Sequence, residues 1–152
     1  MSKPWTDLPG VDLPEPAIQL DRSFEGFLDL DWIALTDELA HARFEVRENL
    51  KQPLGLLHGG IYSAVAETMA SVATVAAVWK DGLAGAGLSN RASFLRPVTS
   101  GTVEAFCRLR GKTDDAYWVW NTDFLDEHGR SCAIVEVTFA VRPVSATGAT
   151  TP

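Results

Sequence analysis

The spacing of apolar residues changes twice along the chain, and each change predicts a different element. Between Leu30 and Val46 apolar and polar residues alternate, which is typical of a strand or hairpin with one solvated face. From Gly60 to Val78 the apolar residues recur at helical spacing, and many alanines indicate close packing against a sheet. Alternation returns in four later segments, which begin near Leu88, Val103, Tyr117 and Cys132.

This order of elements predicts an α+β fold, in which an antiparallel meander packs on one long helix. Gly82, Gly85 and Gly87 predict a break between the helix and the next strand. A sheet that wraps so apolar a helix leaves open edges. Pairing of edge strands between subunits is a natural way to cover them.

The length of 152 residues predicts one folded domain, with a short segment at each end outside it. Residues 1–21 hold four prolines and no apolar signal segment, so we expect an extended arm that is poorly ordered unless a surface holds it. We assign residues 22–143 to the folded domain. Residues 144–152, rich in Ser, Thr, Gly and Ala, are predicted to form a flexible tail.

Charge and composition exclude several classes of partner. The formal net charge of -7 argues against non-specific binding to nucleic acid or to an anionic membrane. The run from Gly60 to Trp79 is nearly long enough to span a bilayer, but it contains Glu67 and six alanines, so a soluble core helix is expected. Cys107 and Cys132 lack the spacing of metal or redox motifs, and we expect reduced, buried thiols in a cytoplasmic protein.

One acid stands apart from its surroundings. From Pro53 to Trp79, Glu67 is the only Asp, Glu, Lys or Arg, and burial of such a carboxylate is costly unless a function requires it. It follows the turn His58-Gly59-Gly60, which can begin a helix and leave backbone N–H groups open to an anion. A carboxylate near such an oxyanion site is equipped for acyl transfer or hydrolysis.

Two motifs carry a resemblance to a known family. The first runs Gln52…His58-Gly59-Gly60…Glu67-Thr68…Ser71, and the second is Asn90 followed by Phe94-Leu95-Arg96-Pro97. Together they resemble the hotdog-fold acyl-CoA thioesterases. The most similar branch includes 4-hydroxybenzoyl-CoA thioesterase of the Arthrobacter type, the enterobactin-pathway proofreading thioesterase and the phenylacetate-pathway thioesterase. The resemblance covers about Leu30 to Arg142 and implies a sheet wrapped around one long central helix.

The resemblance also implies catalytic roles. Glu67 would act as nucleophile or general base, and the Gly59 N–H would polarise the carbonyl. Gln52 would orient that carbonyl, His58 would support the site, and Ser71 would hold the attacking water. The family works as a dimer or a tetramer built as a dimer of dimers, with each site at a subunit interface. No metal or separate cofactor is implied, because coenzyme A is part of the substrate.

Four further residues are candidates for contact with the substrate: Gly60, Asn90, Arg91 and Arg96. Gly60 has no Cβ, so a ligand can approach its backbone closely. The two arginines could meet the phosphates of coenzyme A, although a solvated strand face explains them equally well. If Glu67 instead paired with one of these arginines, it would be a structural residue.

Two other functions remain open on the sequence alone. One is a non-catalytic hotdog module that binds acyl-CoA, and the other is a hotdog enoyl-CoA hydratase or dehydratase. The residues do not distinguish CoA from acyl carrier protein, nucleophile from general base, or dimer from tetramer. They also leave open the acyl group, the pathway and the role of the arm.

Overall fold

The computed structural model describes residues 2–114 and 116–144, which form six strands and one long helix. In chain order the helices and strands are α1 (Phe24–Leu28), β1 (Asp31–Leu35), β2 (Leu39–Glu45), α2 (Gly59–Val78), β3 (Leu83–Phe94), β4 (Thr102–Lys112), β5 (Tyr117–Leu125) and β6 (Ser131–Pro143). All the neighbouring strands of these segments pair antiparallel. The predicted α+β fold, with an antiparallel sheet and one long helix, is confirmed.

The long helix α2 is the centre of the core. Val65, Met69 and Ala73 on its inner face are completely buried against the sheet. The segment Gly59–Asp81 is long and apolar enough to cross a membrane by composition alone. Because its inner face is packed on the sheet, it is the core helix of this fold, as expected.

The strand order corrects the predicted meander. The sheet runs β1-β2-β4-β5-β6-β3, so only β4, β5 and β6 follow one another as neighbours after α2. A helix of 20 residues is about 30 Å long, and α2 therefore carries the chain from β2 across the sheet to its far edge. There β3 pairs with β6 instead of β4.

The predicted break is found at Gly82, whose left-handed backbone (φ 72°) ends the turn after α2, but Gly85 and Gly87 lie inside β3, which begins at Leu83, five residues before the predicted start. Both glycines instead mark places where the strand touches α2. A Cβ on Gly85 would lie 2.8 Å from Thr74 Cγ2, and a Cβ on Gly87 would lie 2.6 Å from Glu67 Oε1. Glycine inside a strand here reflects close approach of the helix.

The N-terminal arm is attached to the domain at its first residues. The backbone N–H of Trp32 donates to the Lys3 carbonyl at 2.8 Å, beside strand β1. The indole N–H of Trp5 donates to Glu25 Oε2 at 2.8 Å. At the other end, the predicted tail lies outside the described residues except for Val144, whose N–H donates to the Gly82 carbonyl at 2.9 Å.

Candidate active site

The start of α2 presents one open backbone donor. His58 is the N-cap, and its Nδ1 accepts a hydrogen bond from the Gly60 N–H at 2.9 Å. Its carbonyl accepts from the Ile61 N–H, also at 2.9 Å. The Gly59 N–H donates to no acceptor within residues 2–114 and 116–144. Of the two glycine amides predicted to face a ligand, Gly60 is engaged in the cap and Gly59 is open at the positive end of the helix.

His58 therefore acts on the helix through its side chain. A ring nitrogen that accepts a hydrogen bond carries no proton, so the neutral ring has its proton on Nε2. This arrangement closes the first turn of α2 and directs the amide of Gly60 away from any ligand. Nδ1 of His58 is therefore occupied in the cap, and Nε2 is the ring nitrogen left for other contacts.

Gln52 lies in the loop that leads into α2. Its Oε1 accepts from the Leu54 N–H and closes a local turn. The NH₂ group of Gln52 has no acceptor among the described residues, so it is the part of this side chain available to a ligand. Backbone hydrogen bonds fix the end of the loop, from His58 N–H to the Leu50 carbonyl at 2.9 Å and from Leu57 N–H to the Val98 carbonyl at 2.8 Å.

Glu67 is exposed in this chain, which corrects the expectation of a buried acid. The reason is its position beside β3, which forms one edge of the sheet and leaves this part of α2 uncovered. The partner of the carboxylate is Asn90, whose Nδ2 donates to Oε2 at 3.0 Å. No ion pair joins Glu67 to an arginine in the described part of the chain, so the structural alternative of a Glu–Arg pair is wrong.

The remaining predicted residues lie around this carboxylate at different distances. Ser71 follows Glu67 by one turn of α2 and is half-buried. Asn90 contacts the acid directly, whereas we predicted contact with substrate. Arg91 is the next residue of β3 and therefore faces the opposite side of the sheet, and Arg96 lies exposed beyond the end of that strand.

Comparison with known proteins identifies the family to which this chain belongs. A model of the thioesterase superfamily matches residues 54–133, which include Gly59, Glu67, Ser71 and Asn90. The chain belongs to the thioesterase superfamily. This match confirms the hotdog fold but not the particular branch that the motifs indicated.

Named relatives of this thioesterase include hydrolases of thioesters. The 1,4-dihydroxy-2-naphthoyl-CoA hydrolase of Escherichia coli is 32% identical over 116 residues, which are 76% of this chain and 84% of the relative. The proofreading thioesterase EntH of Cronobacter turicensis is 34% identical over 116 residues, 75% of this chain and 82% of the relative. A crystal structure of a mutant thioesterase from Pseudomonas aeruginosa superposes with a TM-score of 0.76 at 30% identity, covering 82% of this chain and 88% of that one. These relatives support thioester hydrolysis in general.

Two site residues were missed when the sequence was interpreted. Gly87 lies against the Glu67 carboxylate, but in the sequence it was interpreted only as part of a break before the strand. Phe94 was noted only as part of a motif, but its ring lies on Gly59. Nothing in the spacing shows that contact, because it joins the end of β3 to the start of α2.

Around Glu67 the candidate site is exposed in the single chain. Two surface cavities lie elsewhere, one of about 680 Å³ between the arm and α1, with Trp5 and Trp32 in its wall. The other, of about 410 Å³, is lined partly by Arg43. Neither has Gly59 or Glu67 in its lining.

Neither a metal-binding cluster nor a reactive thiol lies in the part of the chain that the structure describes. No group of three or more His, Cys, Asp or Glu in the described residues could hold a metal ion. Cys107 and Cys132 are buried free cysteines. Burial raises the pKa of the Cys107 thiol to about 12 and also raises the pKa of Cys132, so neither is a ready nucleophile.

Proposed function

We propose that this thioesterase hydrolyses an acyl-CoA to a free acid and the CoA thiol, with Glu67 as the reacting acid. One observation carries the proposal. The same helix offers an open backbone N–H at Gly59 and, two turns later, an exposed carboxylate that is held in place by a neutral amide. An oxyanion donor and a positioned carboxylate are what hydrolysis of a thioester requires.

The Gly59 N–H is the donor to the thioester carbonyl oxygen in this proposal. It lies at the N-terminus of α2, where the helix dipole favours the negative charge that develops on that oxygen. The free NH₂ group of Gln52, in the loop before the helix, supplies a second donor. Loss of one oxyanion donor typically lowers turnover by about 10²–10³-fold.

Glu67 has two routes to the product. In one, a carboxylate oxygen attacks the carbonyl carbon, the C–S bond breaks with release of CoA, and water then hydrolyses the mixed anhydride. In the other, Glu67 takes a proton from a water that attacks the carbonyl carbon, and the proton passes to the departing thiolate. In the second route Ser71, one turn further along α2, is the residue that helps to hold the water.

The spacing along α2 favours a site shared by two subunits. Gly59 and Glu67 are separated by about 12 Å along the helix axis. The Glu67 carboxylate points back along α2 toward Ser63, because the Asn90 amide contacts both residues. Ser63 is still one turn away from Gly59. Reacting atoms must approach to about 3–3.5 Å. We therefore propose a dimer, or a dimer of dimers, in which Gly59 of one subunit faces Glu67 of the other across the β3 edges.

The finer assignments follow from the same reasoning. Coenzyme A is the proposed carrier because the Escherichia coli relative is named as a CoA-thioester hydrolase and the exposed Arg96, beyond the end of β3, can meet phosphates. The motifs favour the branch of the 4-hydroxybenzoyl-CoA and phenylacetate-pathway thioesterases. A core helix packed on the sheet suits a soluble protein, and we propose that it works in the cytoplasm.

The test is thiol release from a panel of acyl-CoA substrates, measured with Ellman's reagent for wild type and Glu67→Gln. We expect the variant to lose about 10²–10⁴-fold in turnover. Buried Cys107 and Cys132 do not interfere in the folded protein. Equal rates in the two proteins would refute the proposal, tight binding without turnover would favour an acyl-CoA-binding module, and loss of enoyl absorbance from crotonyl-CoA would favour a hydratase.

The route is decided by single turnover in oxygen-18 water. If Glu67 attacks the carbonyl and water then opens the anhydride at the Glu67 carboxyl carbon, the first product carries an oxygen from the protein and label enters the Glu67 carboxylate. If Glu67 activates water, label appears in the first product and the carboxylate stays unlabelled. Mass spectrometry of the peptide that contains Glu67 separates the two results.

A further inference from the structure

We infer that Asn90 and Gly87 on strand β3 are positioning residues that fix the Glu67 carboxylate in one orientation and leave Oε1 as its reacting oxygen. This inference rests on the proposed function and adds to it a role for the edge strand. It also changes the role predicted for Asn90, from contact with substrate to control of the acid.

Asn90 uses both protons of its amide within its own chain. Its Nδ2 donates to Glu67 Oε2 at 3.0 Å and to the Ser63 carbonyl at 3.0 Å. An asparagine NH₂ group has two protons, so neither is left for a substrate. Because Ser63 lies one turn before Glu67 on α2, the amide joins the carboxylate to the backbone of the same helix. The acid is thus held without any contribution from a ligand.

Gly87 is the second residue that positions the Glu67 carboxylate. A Cβ at Gly87 would be 2.6 Å from Glu67 Oε1, closer than such contacts normally come, so a larger residue there would displace the carboxylate from its present position. The β3–β6 register shifts between Gly87 and Ser89. Such a bulge re-aims side chains, and it allows Gly87 and Asn90, three residues apart, to face α2 together.

The two contacts distinguish the carboxylate oxygens. Oε2 is hydrogen-bonded to Asn90, which reduces its capacity to take a proton or attack a carbon. Oε1 rests against the glycine and receives no hydrogen-bond donor among residues 2–114 and 116–144. The oxygen that remains available for chemistry is therefore Oε1, and its direction is set by β3.

The test compares Asn90→Ala and Gly87→Ala with the control Ser93→Ala, an exposed position further along β3. We expect kcat to fall by up to about 100-fold in both test variants, because misplacement of a reacting group by about 1 Å has that effect. KM should stay unchanged, since neither side chain contacts the substrate. Ser93→Ala should match wild type in both constants.

Two kinetic results would overturn the inference. A raised KM with unchanged kcat in Asn90→Ala would mean that this amide binds substrate, and unchanged constants in both variants would mean that the contacts are incidental. If the wild type itself releases no thiol from any acyl-CoA, the proposed function fails separately. In that event the carbon-13 resonance of the Glu67 carboxylate, identified by its absence in Glu67→Gln, decides the matter: it should move in Asn90→Ala and stay in Ser93→Ala, and an unmoved signal in Asn90→Ala contradicts the inference.

Discussion

The ring of Phe94 lies against Gly59, so that a Cβ on this glycine would be 2.8 Å from Phe94 Cζ. The contact joins the last residue of β3 to the first residue of α2. The same ring is 6.1 Å from that of Tyr62, measured between centroids. An aromatic wall therefore stands beside the open amide proposed to hold the thioester oxygen, and glycine at position 59 is required by this wall as well as by access to the N–H.

Replacement of Gly59 by alanine should lower kcat/KM by up to about 100-fold, because the methyl group and the ring compete for one space and the amide shifts. Phe94→Ala in the same protein should restore part of the loss, since it removes the competing ring. A double-mutant cycle on kcat/KM measures this coupling, with exposed Leu95→Ala as the neighbouring control. Strictly additive losses would show that the contact does not explain the need for glycine.

A shared site predicts complementation between two inactive variants. Gln52→Ala impairs the carbonyl-binding side and Glu67→Ala removes the acid, so a mixed dimer keeps one intact site. Random pairing makes half of the dimers mixed, and we expect about a quarter of wild-type thiol release from the co-expressed chains. The comparison is with each variant expressed alone. If co-expression yields only the average of the two, all the groups of one site come from one subunit.

The buried hydrogen bond between Trp120 and Thr74 predicts a loss of stability that is independent of catalysis. Trp120 Nε1 donates to Thr74 Oγ1 at 2.9 Å, and both residues are fully buried. Thr74→Val keeps the shape and leaves the indole N–H unsatisfied, which should lower the free energy of unfolding by about 1–3 kcal/mol. Urea denaturation measures it, with the half-buried Thr138→Val as the matched control. Equal midpoints for the two variants would contradict this account.

Asp126 predicts a dependence of stability on pH. Burial acts to raise the pKa of this carboxyl, but the backbone N–H groups of Arg130 and His128 and the Arg130 guanidinium outweigh it, so the pKa lies below its usual value. A carboxyl with a lowered pKa stabilises the folded state above its unfolded-state value of about 3.9, and this stabilisation is lost as pH falls through the folded-state pKa.

Asp126→Asn should therefore lower Tm at pH 7, and this loss should disappear as pH falls below the folded-state pKa of Asp126. Thermal unfolding at a series of pH values, followed by circular dichroism, measures the difference between the variant and wild type. The exposed acid Asp81, replaced by asparagine, serves as the control because no ion pair or side-chain hydrogen bond holds it within the described residues. A difference in Tm that stays constant over the whole pH range would exclude an electrostatic origin.

The sequence was sufficient where local spacing decides the structure. Helical periodicity predicted α2 because its inner face, from Val65 to Val78, must meet the sheet at every turn. The start of the helix at the turn His58-Gly59-Gly60 was predicted in the same way, whereas the N-cap hydrogen bond of His58 was not. The two predicted features depend on neighbours within a few residues, and so they can be inferred before any tertiary contact is known.

The sequence was insufficient where distant segments meet. The contact of Asn90 with Glu67 spans 23 residues and depends on the bulge after Gly87, which alternation alone does not reveal. The position of β3 at the far edge of the sheet, to which α2 leads, likewise depends on the pairing of all the strands. The exposure of Glu67 was mispredicted because an apolar helix was assumed to be covered on all sides, while β3 leaves one side open.

The N-terminal arm affects which edge of the sheet is open to pairing with another chain. Lys3 already occupies a hydrogen-bonding position beside β1, where its carbonyl receives the Trp32 N–H and its own N–H donates to Asp31. The opposite border of the sheet, at β3, carries no such strap in the described residues. We therefore expect chains that pair through strand edges to use β3, which would favour a closed pair over an open fibre.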